Sequence, residues 1–412
     1  MPNQFTKDLE IMFENMIESF DAACVMSKAV ETSYPDSQDM QRANDVFYRP
    51  QSYRTAVQTG VDISAGAATD LIQRQVPTTF RTPDNVRYQM DFLQARDPQH
   101  YERAGKAAAV DLAASIEANL LSTVALQAAI VVKKVGVLTW DDGATAEALM
   151  LSRGVPAGRS RKMFLNPFDY KDVAKDLGNR AYIGDVAKDA YIRSKVPDIA
   201  TFETFRTDTL YNLAAVGTVT GTTVSGAQSF TPSAMTGDLP TDNRRMTLVV
   251  AGANIANIKN GDSFTIGSAG TAVNAVHNID KTDTGQQMTF RVISGGGTAN
   301  LVITPAIIAT GPYKNVTQAA GAGAAITFLN TVTKPVNAFF ADGAVTLDFG
   351  DIAVNSDQGV KWMKARTKQG VPIAMGYSQA LLTGVTTVRC VTRYATTVLE
   401  PEMCGVILAN QT

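Results

Sequence analysis

Two histidines, three cysteines and a few short acidic, basic and glycine-rich runs are what this 412-residue chain offers for chemistry. His100 and His277 lie far apart, one at the start of a predicted long helix and the other in a different predicted domain. A triad built on histidine therefore has no base near a nucleophile. Cys24, Cys390 and Cys404 are widely spaced and odd in number, which suits neither a disulfide framework nor a zinc cluster and reads as a chain kept in a reducing compartment. No H-E-x-x-H, G-x-S-x-G, G-K-[ST] or EF-hand spacing occurs. Gly321-Ala-Gly323-Ala-Ala-Ile326 supplies two glycines of a dinucleotide fingerprint, but it sits among strands with no helical pattern after it. Asp141-Asp142-Gly143 has ligand chemistry and reads as a turn. Arg159, Arg161 and Lys162 form a small basic group that reads as a solvated face rather than a DNA contact. Asn315-Val-Thr317 and Asn410-Gln-Thr412 match the glycosylation acceptor, which carries weight only in a secreted chain. Titratable groups are otherwise scattered, so the expectation is no enzyme, no catalytic residue, no metal and no cofactor. The one charged cluster in a charge-poor setting is Asp238, Asp242, Arg244 and Arg245.

The totals describe a globular chain, with 45% hydrophobic and 18% charged residues. A net charge of −2 and a pI near 5.8 give no overall attraction to nucleic acid or to an anionic membrane. The N-terminus lacks a basic region followed by an apolar one, and no run approaches eighteen apolar residues, so neither export by a signal peptide nor membrane spanning is expected. The length favours two or three domains.

Residues 97–132 are the element around which the rest is ordered. Asp97 can cap a helix and Pro98 suits its first position, and the interior then holds no proline and only Gly105 as a weak point. Such a helix would be roughly 50 Å long. Apolar residues lie on more than one side of it, so several faces should be packed. Upstream, Leu9, Met12, Phe13, Met16, Ile17, Phe20 and Cys24 recur at helical spacing over residues 5–30, an amphipathic helix that serves either its own core or a neighbouring subunit. Residues 46–80 alternate like two strands around a Gly/Ser/Ala/Thr-rich middle and predict an extended ribbon. Such a ribbon is marginal alone and is expected to rest on something, a second copy of the chain being the partner it suggests.

Past residue 143 an α/β texture follows. Residues 161–165 predict a buried strand, Asn166 and Pro167 begin a helix that Gly178 can close, and a second short helix is expected over residues 185–194. Between residues 216 and 333 charge thins to about one residue in ten, and short strands are expected at residues 246–251, 263–266, 288–293 and 300–303, with turns at Asn260-Gly-Asp262, Asp283-Thr-Gly285 and Gly295-Gly-Gly297. This predicts a small β-barrel or sandwich inserted into the α/β domain, whose texture resumes at Pro335. Strands return at residues 344–349, 386–399 and 404–408.

An arm, a ribbon, a long helix and a split domain are devices for touching neighbours, and their order resembles the major capsid protein of tailed bacteriophages, the Hong Kong 97-like fold. Particular stretches are similar to coat proteins of short-tailed Salmonella phages, which carry an inserted β-barrel domain. These are Met40-Gln-Arg-Ala-Asn44, Pro83-Asp-Asn85, Phe164-Leu-Asn-Pro167 with Asp169-Tyr-Lys171, Asp189-Ala-Tyr191, Val224-Ser-Gly-Ala-Gln-Ser-Phe230 and Phe340-Ala-Asp342. The resemblance covers most of the chain, is weak over residues 245–313, and finds the loop at residues 235–245 trimmed. It implies an α+β fold with an N-terminal arm at 1–45, an extended E-loop at 46–90 and a peripheral domain with the spine helix at 91–139. Axial segments at 140–215 and 336–395, an inserted β-barrel at 216–335 and a C-terminal strand at 396–412 complete it. It also implies self-assembly into pentamers and hexamers of an icosahedral procapsid that expands as double-stranded DNA is packaged. The implied partners are a scaffolding protein, a portal protein and packaged DNA in weak non-specific contact, with no membrane. Assembly would occur in the host bacterial cytoplasm and the product would be the virion capsid. Asp238, Asp242, Arg244 and Arg245 would lie in the loop that reaches between capsomers. The alternative is an encapsulin-like non-viral shell of the same fold.

Overall fold

The computed structural model describes residues 4–33, 46–55, 60–62, 64, 71–91, 94, 97–179, 196–268, 270–352, 354, 360–380 and 382–412. The short helix expected at residues 185–194, the motifs at 40–44 and 189–191 and most of the middle of the ribbon lie outside them. The chain is mixed α+β and divides into two compact units, Met1–Phe47 with Thr78–Leu120 and Thr346–Thr397, and Tyr48–Pro77 with Leu121–Val345 and Val398–Thr412.

In the first unit, helix α1 (Gln4–Ala23) buries Leu9, Met12, Met16 and Phe20 and leaves Glu10, Glu14 and Glu18 exposed. Its apolar face packs on its own chain. Met12 lies on Gly105 of the spine helix α2 (Pro98–Gln127), where an added Cβ would stand 2.6 Å from the Met12 carbonyl oxygen. The glycine that weakens the helix by propensity is thus the place where another helix crosses it. The chain after α1 is held by Glu117, 4% exposed, whose carboxylate accepts the N–H groups of Val25, Met26 and Ser27 at 3.3, 2.7 and 2.8 Å. A four-stranded antiparallel sheet orders Lys361–Arg366, Pro372–Gln379, Thr386–Thr392 and Asp84–Met90, and buries Ile373, Met375, Val388 and Cys390.

Helix α2 ends at Gln127, five residues short of its expected end. Ile130, Val131 and Val132 are β-branched, and a strand, Ile130–Val135, runs parallel to Cys404–Gln411. By length and composition Gln99–Gln127 could cross a membrane, yet 56% of its most apolar window is buried inside the fold.

The second unit holds a five-stranded sheet in the order Ile130–Val135, Cys404–Gln411, Asn337–Ala341, Arg161–Leu165, Phe202–Arg206. Asp141-Asp142-Gly143 is no turn but the start of helix α3 (Trp140–Ser152). Asp142 accepts the Thr139 N–H at 2.8 Å and its hydroxyl at 2.7 Å, so the acidic pair that suggested ligands begins a helix instead. Helix α4 (Pro167–Asn179) starts as expected, with Asn166 Oδ1 accepting the N–H groups of Phe168 and Asp169 at 3.0 Å each, while Gly178 lies within the helix rather than closing it.

The inserted segment forms a six-stranded sheet in the order Ile326–Phe328, Ser263–Ile266, Thr289–Ser294, Asn300–Thr304, Met246–Ala253, Thr220–Val224. Its two ends meet through a bridge between Thr223 and Ala325 and the Val224 N–H to Ala324 carbonyl bond at 2.9 Å, so the barrel is partly closed. Phe264, Phe290, Leu248, Leu301 and Ile303 fill it. Asp283-Thr-Gly285 falls within a strand, Asp283–Gln287, rather than in a separate turn. The barrel also closes the end of the spine helix. Fully buried Arg291 donates from Nε to the Ala128 carbonyl at 3.3 Å and from Nη1 to the Gly261 carbonyl at 3.0 Å, and the Thr289 hydroxyl donates to the Ala129 carbonyl. Carbonyls left over at a helix C-terminus carry partial negative charge, and a guanidinium is well matched to them. The ribbon expected over residues 46–80 is present as Val46–Pro50 and Gln75–Thr79, paired in a two-stranded sheet.

Candidate functional site

The charged cluster sits on a small hairpin of the second unit. Met235–Thr236 and Leu239–Pro240 pair antiparallel around Gly237 and Asp238, and Gly237 takes φ +61° at the first turn position, as a tight hairpin of the II′ kind requires. Below the turn the legs are stitched by side chains. Thr236 and Thr241 hydroxyls are 2.7 Å apart, and buried Asn243 both accepts the Ser233 N–H at 3.0 Å and donates to the carbonyls of Ser233 and Thr241 at 2.8 and 3.1 Å.

The four charges then divide. Arg244 is buried and grips Asp242 through two parallel bonds of 2.8 Å, Nε to Oδ1 and Nη2 to Oδ2, while its Nη1 donates to the Val398 carbonyl. Arg245 approaches the same carboxylate at 3.5 Å. Burial disfavours the ionised carboxylate of Asp242, but the hydrogen bonds and charge of Arg244, with Arg245 beside it, hold its pKa below the usual range. Three of the four residues are therefore brought together within one chain. Asp238 alone stands at the exposed tip, between Met235 at 55% and Leu239 at 67% exposure.

Beneath the hairpin lies a cluster that the sequence reading missed. Arg54 donates to Glu402 at 3.0 Å and to Asn278 at 2.9 Å, and lies 3.7 Å from Glu400. Asn315 donates to the other oxygen of Glu402 at 3.0 Å. The Arg74 guanidinium stacks 4.5 Å from the centre of the Tyr313 ring, whose hydroxyl donates to the Ile72 carbonyl at 3.1 Å. Gln51 donates to the Leu399 carbonyl at 2.6 Å. Four stretches remote in sequence, the root of the ribbon, the hairpin, the barrel and the C-terminal segment, thus line one small space. The space left inside is about 20 Å³, room for one water and for no ligand.

Burial acts on every ion here, and pairing decides the outcome. Glu402 is driven down to about 2 because Arg54 and the hydrogen bonds from Asn315 and Arg54 overcome its desolvation. Glu400 goes the other way, since burial outweighs its attraction to Arg54 and Arg74. Arg54 is raised by the two glutamates against the cost of burial, whereas burial leaves Arg74 lowered. The only sequence signal was Glu400-Pro401-Glu402, two carboxylates in an apolar tail.

The other candidates fall elsewhere. Arg161 is no solvated cation: it is 2% exposed, paired with Glu147 at 3.2 Å and bonded to Thr201 at 2.9 Å. It also donates to the Pro156 carbonyl at 3.1 Å, so the basic group reduces to Arg159 and Lys162. His277 pairs with Asp280 at 2.8 Å in a turn of the second unit, while His100 belongs to the first. All three cysteines are buried and free, and burial pushes the Cys24 thiol up to about 11 and that of Cys390 to about 12. Among the described residues no three His, Cys, Asp or Glu side chains group as metal ligands.

Comparison with known proteins gives one family match, to the model described as P22 coat protein, gene protein 5, over residues 1–409. Among solved structures the chain is similar to the mature capsid of bacteriophage PhiM1, with a TM-score of 0.46, 8% identity, and coverage of 93% of this chain and 86% of that one. It is also similar to a protein of Mycobacterium phage Che8, with a TM-score of 0.43, 9% identity, and coverage of 92% and 90%. A likeness to the SrpI encapsulin complex of Synechococcus elongatus has a TM-score of 0.36, 8% identity, and coverage of 94% and 86%.

Proposed function

The chain belongs to the P22 coat protein family and is a phage capsid shell protein, and we propose that its copies form the pentamers and hexamers of a closed icosahedral procapsid that expands on packaging double-stranded DNA. In this reading a scaffolding protein directs assembly in the host cytoplasm, and DNA enters through a portal protein. The ribbon at 46–90 lies over a neighbouring copy, the arm at residues 1–45 keeps its apolar face on its own chain and offers its exposed face to neighbours, the spine helix stiffens the peripheral domain, and the two axial segments gather around the capsomer centre. Closed shells need contacts that each copy both gives and receives, and extended elements supply large area for them.

The observation that carries the contact between capsomers is the division of the hairpin's charges. Asp242, Arg244 and Arg245 are spent on holding the hairpin, and the tip of Met235, Asp238 and Leu239 is left outward on a rigid base. An exposed ion pair contributes only about 0–1 kcal/mol, but a shell repeats it at every junction. The reading is tested by expressing the chain with its scaffolding protein and examining the product by electron microscopy. Uniform icosahedral particles support it, and persistent monomers defeat it. Uniform shells that form without any scaffolding protein and never take up DNA would favour the encapsulin-like alternative.

A further inference from the structure

The four-stranded sheet of the first unit buries one face fully and the other in part, where Ile352 packs with Ala374 and Val391 and Trp362 lies beside them, while Arg87 and Arg389 on that second face stay exposed. Across that second face the pairing register sets four residues in one row, Trp362 opposite Gly376, Gly376 opposite Arg389, and Arg389 opposite Arg87. The indole lies on the glycine: a Cβ added at Gly376 would come within 2.8 Å of three of its ring atoms. Only glycine accepts a tryptophan seated flat on the strand here. Arg389 is oriented by its Nε–H bond to Asn85 at 2.9 Å. Both arginines are exposed, and among the described residues no carboxylate pairs with either. Lys364 continues the same face one row away, 3.6 Å from Asp351, and the row borders a groove of about 480 Å³ that Ser378 and Thr387 also line.

Like charges placed directly opposite on neighbouring strands cost stability, and an anion that touches both reverses the sign. A carboxylate would satisfy the guanidiniums but would leave the indole and the neutral polar side chains unused. A nucleotide chain uses all of them, with phosphate oxygens on the arginine fork, a base against the ring, and sugar or base edges on Ser378, Thr387 and Asn85. On a chain with net charge −2 this is also a local reversal of sign. We propose that this face binds the phosphodiester backbone of nucleic acid, through Arg87 and Arg389, with Trp362 as a stacking platform. The inference deepens the DNA contact included in the shell reading and rests on it for context, but its test uses unassembled full-length chain, so failure to assemble and failure to bind are seen separately.

The probes are a fluorescein-labelled oligothymidylate and a duplex of equal length, followed by fluorescence anisotropy over a salt series. Wild type should bind both, with affinity falling steeply as salt rises. The double change Arg87→Ala with Arg389→Ala should weaken binding about tenfold or more and flatten the salt slope for the single strand by about 1.4, while the double Arg→Lys change keeps most of the affinity. Trp362→Phe should be nearly neutral, and Trp362→Leu should weaken the single strand and spare the duplex. Unfolding curves of each variant show whether a loss comes from misfolding, and the lysine pair and Trp362→Phe keep the test decisive if an alanine variant is unstable. Equal binding by wild type and a folded double alanine variant would overturn the proposal. So would displacement of the oligonucleotide by a synthetic peptide of residues 55–73 at lower concentration than by unlabelled oligonucleotide, which would make this face a seat for an acidic segment of a second copy.

Discussion

The inserted barrel and the open sheet of the first unit are both antiparallel, yet they treat charge in opposite ways. The barrel curls until its end strands meet, and its fully buried Arg291 is aimed at the carbonyl that ends the spine helix. The four-stranded sheet keeps Arg87, Arg389 and Lys364 exposed on one face, where Lys364 lies 3.6 Å from exposed Asp351 and Arg389 bonds the neutral Asn85. The hairpin on the barrel repeats the contrast within eleven residues, with Arg244 locked below and Asp238 free above. Closure lets a sheet use its charges for internal structure, while an open face leaves them for other molecules.

Substitutions of one residue type in the two settings sharpen this contrast most. Arg291→Ala should cost about 3–5 kcal/mol, because it opens a cavity and leaves the carbonyls of Ala128 and Gly261 unpaired. Arg87→Ala should change stability by no more than about 0.5 kcal/mol. Urea unfolding of both variants measures the pair, and similar losses would break the distinction.

Glu402 gives the next largest effect. Its folded pKa of about 2 lies below the ordinary carboxylate value, so it contributes stability that is present above about pH 4.3 and is lost as the pH falls toward 2, on the order of 3 kcal/mol in all. Glu402→Gln should lose that amount at neutral pH and flatten the acid limb of the stability profile. Glu400, raised by burial, works with opposite sign: its ionised form is disfavoured in the fold, so Glu400→Gln should cost much less at pH 7. Urea unfolding between pH 2 and 7 would show whether the two glutamates separate in this way.

In the first unit, Glu117→Ala should cost about 2 kcal/mol by stranding three backbone N–H groups, and Glu117→Gln, which keeps one acceptor, should recover part of it. Hydrogen exchange at Val25, Met26 and Ser27 should quicken in the alanine variant alone if the carboxylate is what protects them.

The smallest effect on folding is expected at the hairpin tip. Asp238→Arg should leave the unfolding midpoint within about 0.5 kcal/mol of wild type. Asp242→Arg should not, since it leaves buried Arg244 facing a like charge. Counting closed against aberrant shells by electron microscopy for the two variants separates contact from folding. Normal shells from Asp238→Arg would show that the tip bridges nothing.

Much of the fold was legible in the chain itself because local physics set it. Asn166 followed by Pro167 can do little other than begin a helix, and the apolar spacing of Leu9 to Phe20 fixes which face of α1 is buried. The strand at Ser263–Ile266 fell where alternation and the Asn260-Gly-Asp262 turn put it. Where local signals competed, tertiary structure chose. The β-branched run after Ala129 became a strand because Cys404–Gln411 offered it a partner, and Asp141-Asp142-Gly143 became a helix start because Thr139 and Asp142 cap each other.

For the candidate site, the sequence determined only that charge gathers at residues 238–245 in a charge-poor domain. It could not say which charges face outward, since that depends on carbonyls and carboxylates from remote parts of the chain. The Val398 carbonyl draws Arg244 inward, and Glu400 and Glu402 draw Arg54 from some 350 positions away. Periodicity records a residue's relation to its near neighbours. The partner of a buried charge is fixed only when the whole chain closes around it, because burial is what makes pairing obligatory.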